Sequence, residues 1–266
     1  MKPNPIRKKL RDGHAVLGTF VMEFATPGIP AILESAGAEF VVFDMEHSGF
    51  GTETIRQLLA YSRGLDIVPM VRVPDTQYDF IARALDAGAK GLMVPMVESR
   101  EQAEEIVACA KYPPWGRRGA TANIAHDHFR GGDLAAKLAS ANQEILILAQ
   151  IETTRGVENI EEILAVEGID IAWVGHNDLS VSMGIPGQVT HHRVVEAMEE
   201  VARACQRHQK HAGRLVPDLQ SGIEWLNKGY RCLAYGNDIR LLQGALQSGL
   251  KSLRNASGGQ SATHSS

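Results

Sequence analysis

Apolar, β-rich runs recur along the chain, and stretches of helical period fill the gaps between them. The runs predict strands at residues 15–21, 40–46, 67–73, 91–97, 145–151, 170–175, 210–216 and 230–236. Between them, Ile55, Leu58 and Leu59, and then Tyr78, Ile81, Ala82 and Leu85, fall at three- and four-residue spacing. The broadest stripe is Val194, Val195, Met198, Val201, Ala202 and Cys205. Eight strands separated by helices point to a parallel sheet, and eight is the number that closes a barrel. A doubly wound sheet competes with that arrangement, but it normally carries a glycine-rich phosphate turn after its first strand. That position here reads Val21-Met22-Glu23-Phe24-Ala25. The expected fold is therefore α/β, a (β/α)8 barrel that occupies residues 1–255 as one domain.

Two stretches stand outside this pattern. Residues 112–144 open with Tyr112-Pro113-Pro114-Trp115-Gly116-Arg117-Arg118-Gly119 and hold no clear strand, although 118–121 has room for a short one. So long an irregular segment is either functional or the sign of a missed element. Residues 256–266, rich in Gly, Ser and Thr, read as a disordered tail.

Composition narrows the function classes. At 266 residues the chain has room for two small domains, but α/β barrels of this length are commonly one. A net charge of -4 with dispersed Lys and Arg argues against a nucleic-acid partner. No apolar run reaches membrane-spanning length, and Met1-Lys2-Pro3-Asn4-Pro5 lacks a signal-peptide core. The expectation is a cytoplasmic protein with no membrane partner. Cys109, Cys205 and Cys232 are odd in number and widely spaced, unlike a disulfide framework or a zinc knuckle.

The candidate chemistry gathers where apolar runs stop. Gln150-Ile151-Glu152 and Gly175-His176-Asn177-Asp178-Leu179-Ser180 each bring a carboxylate to such a point. A hard divalent cation takes oxygen ligands, commonly one or two carboxylates, and leaves other positions to water and substrate. Glu152 and Asp178 are thus candidate ligands of an open, catalytic metal. The plainer alternatives are that Glu152 caps the helix beginning at Thr153 and Thr154, and that Asp178 caps its own short turn. Gln150 shares a face with Glu152, and the backbone N–H groups at the Asn177–Asp178 turn are suited to a carboxylate. On the second strand, period two puts Asp44 and Glu46 on one face, and His47 opens the loop. Acids inside a barrel need a cation or a donor, and Arg72 ends the third strand. Arg72 either forms an internal ion pair with Asp44 that stiffens the barrel, or faces an anionic substrate. Active sites of this fold lie at the C-terminal ends of the strands, and four such ends supply His47, Arg72, Glu152 and Asp178.

Other side chains carry less. His126-Asp127-His128 has ligand-like chemistry but no third partner, and reads as a weak metal pair or a lid contact. His191-His192 begins an amphipathic helix, and Lys90 precedes the fourth strand, so it should face away from the site.

Taken together, these segments resemble the HpcH/HpaI family of metal-dependent pyruvate aldolases, which includes 4-hydroxy-2-oxoheptanedioate and 2-dehydro-3-deoxyglucarate aldolases. The resemblance rests on Phe43 to His47, Val71-Arg72-Val73-Pro74, Gly91 to Val97, Tyr112-Pro113-Pro114 with Arg118-Gly119, Gln150 to Thr153, and Gly175 to Ser180 followed by Met183-Gly184. It implies a TIM barrel of the phosphoenolpyruvate/pyruvate-binding type. It further implies a lyase that reversibly cleaves a 4-hydroxy-2-oxo acid to pyruvate and an aldehyde in aromatic or sugar-acid catabolism. On the matching positions, Glu152 and Asp178 would hold Mg²⁺, Mn²⁺ or Co²⁺, while Gln150 and the backbone at Asn177 and Asp178 bind the oxo acid. Arg72 would stabilise the enolate and His47 would be the general base. Asp86 would raise the basicity of that histidine from across a subunit interface in a homo-oligomer, a trimer or hexamer, with Asp44 the local alternative. Oxaloacetate decarboxylation or another C–C cleavage on the same site is the nearest rival, and a non-catalytic binding barrel the more distant one. The chain departs from the family pattern at His176 and Asn177, where Pro and Ala are usual, and in the 121–130 loop.

Overall fold

Eight parallel strands close into a barrel in the computed structural model, which describes residues 3–259. The strands are β1 (Val16–Val21), β2 (Phe40–Asp44), β3 (Val68–Arg72), β4 (Gly91–Val94), β5 (Leu146–Ile151), β6 (Ile171–Val174), β7 (His211–Val216) and β8 (Tyr230–Asn237). β1 is hydrogen-bonded to both β2 and β8, which closes the ring. Helix α1 (Pro5–Arg11) precedes the barrel, and α2 (Ile29–Ser35), α3 (Thr52–Tyr61), α4 (Tyr78–Ala87) and α5 (Arg100–Ala110) follow the first four strands in turn. Then α6 (Leu134–Glu144) leads into β5, with α7 (Thr154–Glu158) and α8 (Ile160–Leu164) after it. Helices α9 (His176–Ser182) and α10 (His192–Arg207) follow β6, α11 (Leu219–Asn227) follows β7, and α12 (Asp238–Gly259) ends the described chain.

Side-chain alternation sorts the strands into two apolar layers. Phe20, Phe40, Val42, Met70, Met93, Leu148 and Trp173 point inward and fill the barrel, and Ile6 and Leu10 of α1 join them. The intervening residues, such as Val41, Phe43, Val71 and Leu92, pack outward against helix residues such as Ile81, Leu85, Ile106 and Val201. The same parity that turns Phe40 and Val42 inward continues to Asp44. That which turns Met70 inward continues to Arg72, and that of Leu148 continues to Gln150 and Glu152. The polar layer is thus the last inward layer at the C-terminal mouth.

The differences from expectation are local. β2 stops at Asp44 because its carboxylate accepts from the backbone of Glu46 at 3.0 Å and of His47 at 3.2 Å, turning the chain. β4 stops at Val94, and Met96 takes a left-handed backbone with φ 57. Residues 118–121 form no strand, and the irregular stretch shortens to 112–133 because α6 occupies the rest. Its backbone is satisfied without a sheet. Arg117 N donates to Ala108 O at 2.7 Å, and Tyr112 N donates to Asn142 Oδ1 at 2.7 Å while Asn142 Nδ2 returns a bond to Tyr112 O at 2.9 Å. Helix α12 runs beyond residue 255 to Gly259, and the remainder of the expected tail lies outside the described residues. Among the described residues no helix is long and apolar enough to cross a membrane.

Candidate active site

Asp44 and Arg72 meet as the strand register requires, since they are direct partners between β2 and β3. Arg72 Nε and Nη2 donate to the two Asp44 oxygens at 2.7 Å each, and Nη1 lies 3.1 Å from Glu46 Oε2. The guanidinium also sits over the Phe20 ring, 5.2 Å from its centroid, and Phe20 in turn contacts Trp173 at 5.8 Å. Burial is the largest single influence and works against the arginine's charge, but the Asp44 hydrogen bond and the charges of Asp44, Glu46 and Glu152 together outweigh it, and the net shift is upward. Both earlier readings of Arg72 are therefore compatible: the ion pair exists, and it holds a fixed cation at the mouth of the barrel.

Glu152 is 1 % exposed at the end of β5. Its Oε1 accepts from Met96 N at 2.8 Å and its Oε2 from Gln150 Nε2 at 2.6 Å. It does not cap the following helix; Thr153 does, accepting from Gly156 N at 3.0 Å. Burial drives the Glu152 carboxyl up to about 7, and the nearby carboxylates of Glu46 and Asp178 push the same way against its two hydrogen bonds. Glu46 is likewise raised, first by burial, with Asp44 and Asp178 adding and Arg72 opposing. Asp178 lies exposed in the first turn of α9, where no side chain caps the helix. Two bonds tie its turn to the Glu152 segment: Gly175 N donates to Ile151 O at 3.1 Å, and Thr154 N to Ser182 Oγ at 2.9 Å. Gly175 is required by this closeness, because a Cβ there would lie 2.3 Å from Glu152 Oε2.

These donors suit a hard divalent cation. All are oxygens, the carboxylates repel one another, and Gln150 Oε1 is buried with no hydrogen-bond partner. A cation between Glu152 and Asp178 would favour the ionised form of Glu152, which burial first and then the charges of Glu46 and Asp178 disfavour.

The remaining predicted residues fall in different places. His47 is at the rim, its side chain 52 % exposed, with Nε2 3.7 Å from Glu46 Oε2. Asp44 touches it only through the His47 backbone, since both Asp44 oxygens are held by Arg72. Glu46 is thus the carboxylate beside the imidazole. Period two had placed it on the right face, but its own chemistry was missed. Asn177 lies exposed beside Asp178. His176 adds no positive charge to this turn, because burial, followed by Arg214 and Arg240, pushes its pKa down to about 4. Asp86 sits near the C-terminal end of α4, ion-paired with buried Arg118, at the opposite end of the barrel from His47. The His126-Asp127-His128 segment is also at that end and forms part of a short 3-10 turn, so it is no lid over its own rim. Lys90 lies there too, away from the site as expected.

Comparison with known proteins agrees with this architecture. The model of the HpcH/HpaI aldolase/citrate lyase family matches residues 18–245. A hydroxypyruvate/pyruvate aldolase from Roseovarius nubinhibens is 35% identical over 90% of this chain and 92% of its own length. A 5-keto-4-deoxy-D-glucarate aldolase from Shigella boydii is 32% identical over 92% of this chain and 94% of its own. The crystal structure of an HpcH/HpaI aldolase from Desulfitobacterium hafniense superposes with a TM-score of 0.89 at 35% identity, covering 93% of this chain and 96% of that one. Because the family match runs from the first strand of the barrel into its last helix, this chain belongs to the HpcH/HpaI aldolase/citrate lyase family and is a carbon–carbon lyase of the aldolase type.

Proposed function

We propose that this aldolase reversibly cleaves a 4-hydroxy-2-oxo acid into pyruvate, or a related 2-oxo acid, and an aldehyde, with Glu152 and Asp178 holding Mg²⁺, Mn²⁺ or Co²⁺. The observation that carries the reading is the buried Glu152 carboxyl, raised to about 7 beside Glu46 and Asp178 and facing the same mouth as a fixed Arg72. When bound there, the cation supplies Lewis acidity to the keto group, stabilising the negative charge that C–C cleavage leaves on the oxo acid.

The chain's own residues do the rest. Gln150 has an amide half committed to Glu152 and half free for the oxo acid. The backbone N–H groups at Asn177 and Asp178 receive its carboxylate. Arg72 places a positive charge beside the developing oxyanion, already oriented by Asp44 and Phe20, so little reorganisation accompanies reaction. His47, exposed at the rim, takes the 4-hydroxyl proton in the cleavage direction as general base. Asp86 is too far from the His47 of its own chain and acts on that of a neighbour, which makes the working species a cytoplasmic homo-oligomer, a trimer or hexamer. The two relatives' names, hydroxypyruvate/pyruvate and 5-keto-4-deoxy-D-glucarate, support a small oxo acid and a hydroxylated aldehyde in sugar-acid catabolism.

Chelation tests this reading. EDTA should abolish pyruvate release from a 4-hydroxy-2-oxo acid, and Mg²⁺, Mn²⁺ or Co²⁺ should restore it. Full activity after exhaustive chelation, or covalent trapping of substrate by borohydride, would overturn the metal assignment. Arg72→Ala should lower turnover by about 10²–10³; wild-type turnover in that variant would remove Arg72 from the mechanism.

A further inference from the structure

A cavity of about 610 Å³ opens at the N-terminal end of the barrel, away from the carboxylate rim. It lies between the start of β3, the end of α3, the turn after α4 and the irregular loop before α6. Its volume is that of a small-molecule pocket. Arg63, Lys90, Arg130 and Lys137 line it, and Asp127 is the carboxylate among them. That carboxylate is already committed: Asp127 Oδ2 accepts from Lys137 Nζ at 2.7 Å and from Asn123 N at 2.8 Å. Arg63 stacks on Phe129, 5.0 Å from the ring centroid, and neither Arg63 nor Arg130 has an ion-pair partner among the described residues. Three of these four cations act electrostatically on one imidazole. His128 is held below its ordinary pKa by burial and then by Lys90, Arg130 and Arg63 together.

Buried polar atoms here are also left open. His126 is 5 % exposed and Asp127 7 %, yet His126 Nδ1 and Asp127 Oδ1 have no hydrogen-bond partner. Adjoining Arg118 keeps Nε and Nη1 unpartnered as well. Orphaned buried groups are rare in folded proteins and mark places where a ligand or water belongs; the Arg118 nitrogens are donors that an anion satisfies, whereas Asp127 Oδ1 is an acceptor suited to water. An excess of positive charge around a pocket of this size, in a chain whose net charge is -4, selects for a small anion rather than a general acidic surface.

We propose that this cavity is a second ligand site, which takes a small polyanion bearing phosphate or carboxylate groups held by Arg63 and Arg130. It is separate from the rim of its own chain and does not depend on the proposed aldol mechanism. Calorimetric titration of the full chain tests it, using inorganic phosphate in one arm and malonate in the other. Saturating pyruvate is present throughout, so that the rim is occupied. Binding of one anion per chain is expected, and which arm binds identifies phosphate or carboxylate as the preferred group. Arg63→Met with Arg130→Met should weaken that binding about tenfold or more and leave pyruvate release unchanged. If the double variant fails to fold, Arg130→Met alone carries the test, because Arg130 is exposed on the loop. Absence of binding in both arms, or undiminished binding in a folded variant, would overturn the proposal.

Discussion

Glu152 is the residue at which burial and function oppose each other most directly. Its carboxyl is raised from 4.5 to about 7, chiefly by burial, so in metal-free protein the folded state keeps a proton that the unfolded chain has released between those values. The folded state is favoured at the acid end of this window, and the contribution is lost as pH rises through about 7. In the presence of chelator, the thermal midpoint of the wild type relative to Glu152→Gln should therefore fall from pH 4.5 to about 7. A difference that stays flat across the window would show that the carboxyl is ionised throughout. Much of this site was legible in the sequence at the same scale. Strand alternation alone put Gln150 with Glu152 and Asp44 with Glu46, and a buried acid called for the cation that Arg72 supplies. The role of Glu46 beside His47 was not legible, because it depends on both Asp44 oxygens being taken by Arg72. The neutrality of His176 was also hidden, since its causes are burial in the folded chain and then Arg214 and Arg240 from later elements.

At the scale of elements, the rim proposed to hold the metal is a joint between the end of β5 and the start of α9. The Thr154–Ser182 bond and the glycine at 175 set its spacing. Gly175→Ala would drive a Cβ to within 2.8 Å of Glu152 Cβ as well as against its carboxylate. The expected outcome is a loss of about 1–3 kcal/mol in stability and weaker Mn²⁺ binding, read by denaturant titration and by calorimetry respectively. Unchanged metal affinity would mean that the joint is slack. All eight strands were readable because each is an apolar-rich run bounded by turn residues, although polar residues interrupt β7 and β8. The 112–133 stretch was not, because its backbone bonds go to Asn142, Ala108 and Lys111 rather than to a repeating ladder. No local pattern records such partners.

For the whole molecule, the conspicuous unpaired surface is on α12, where Leu242, Leu246, Leu250 and Leu253 are exposed at near-helical spacing. A row of large apolar side chains on one face marks an interaction surface, and a second copy of this chain is the partner that the proposed role of Asp86 requires. Leu246→Glu with Leu250→Glu should shift the protein to a smaller species in analytical ultracentrifugation and lower turnover with it. Mixing His47→Ala with Asp86→Ala subunits should restore part of the activity that each lacks, since some pairs then bring an intact histidine to an intact aspartate. No recovery after subunit exchange would remove Asp86 from the mechanism.

The packed interior has a consequence for both ends at once. Phe20, Phe40, Met70, Met93 and Trp173 leave the barrel solid from the first layer to the polar one, with α1 closing it below. The carboxylate mouth and the cationic chamber of one chain therefore have no conduit between them through the barrel. Whatever enters one leaves by the same door, and any coupling between them within a chain must pass through the packed layers of the barrel.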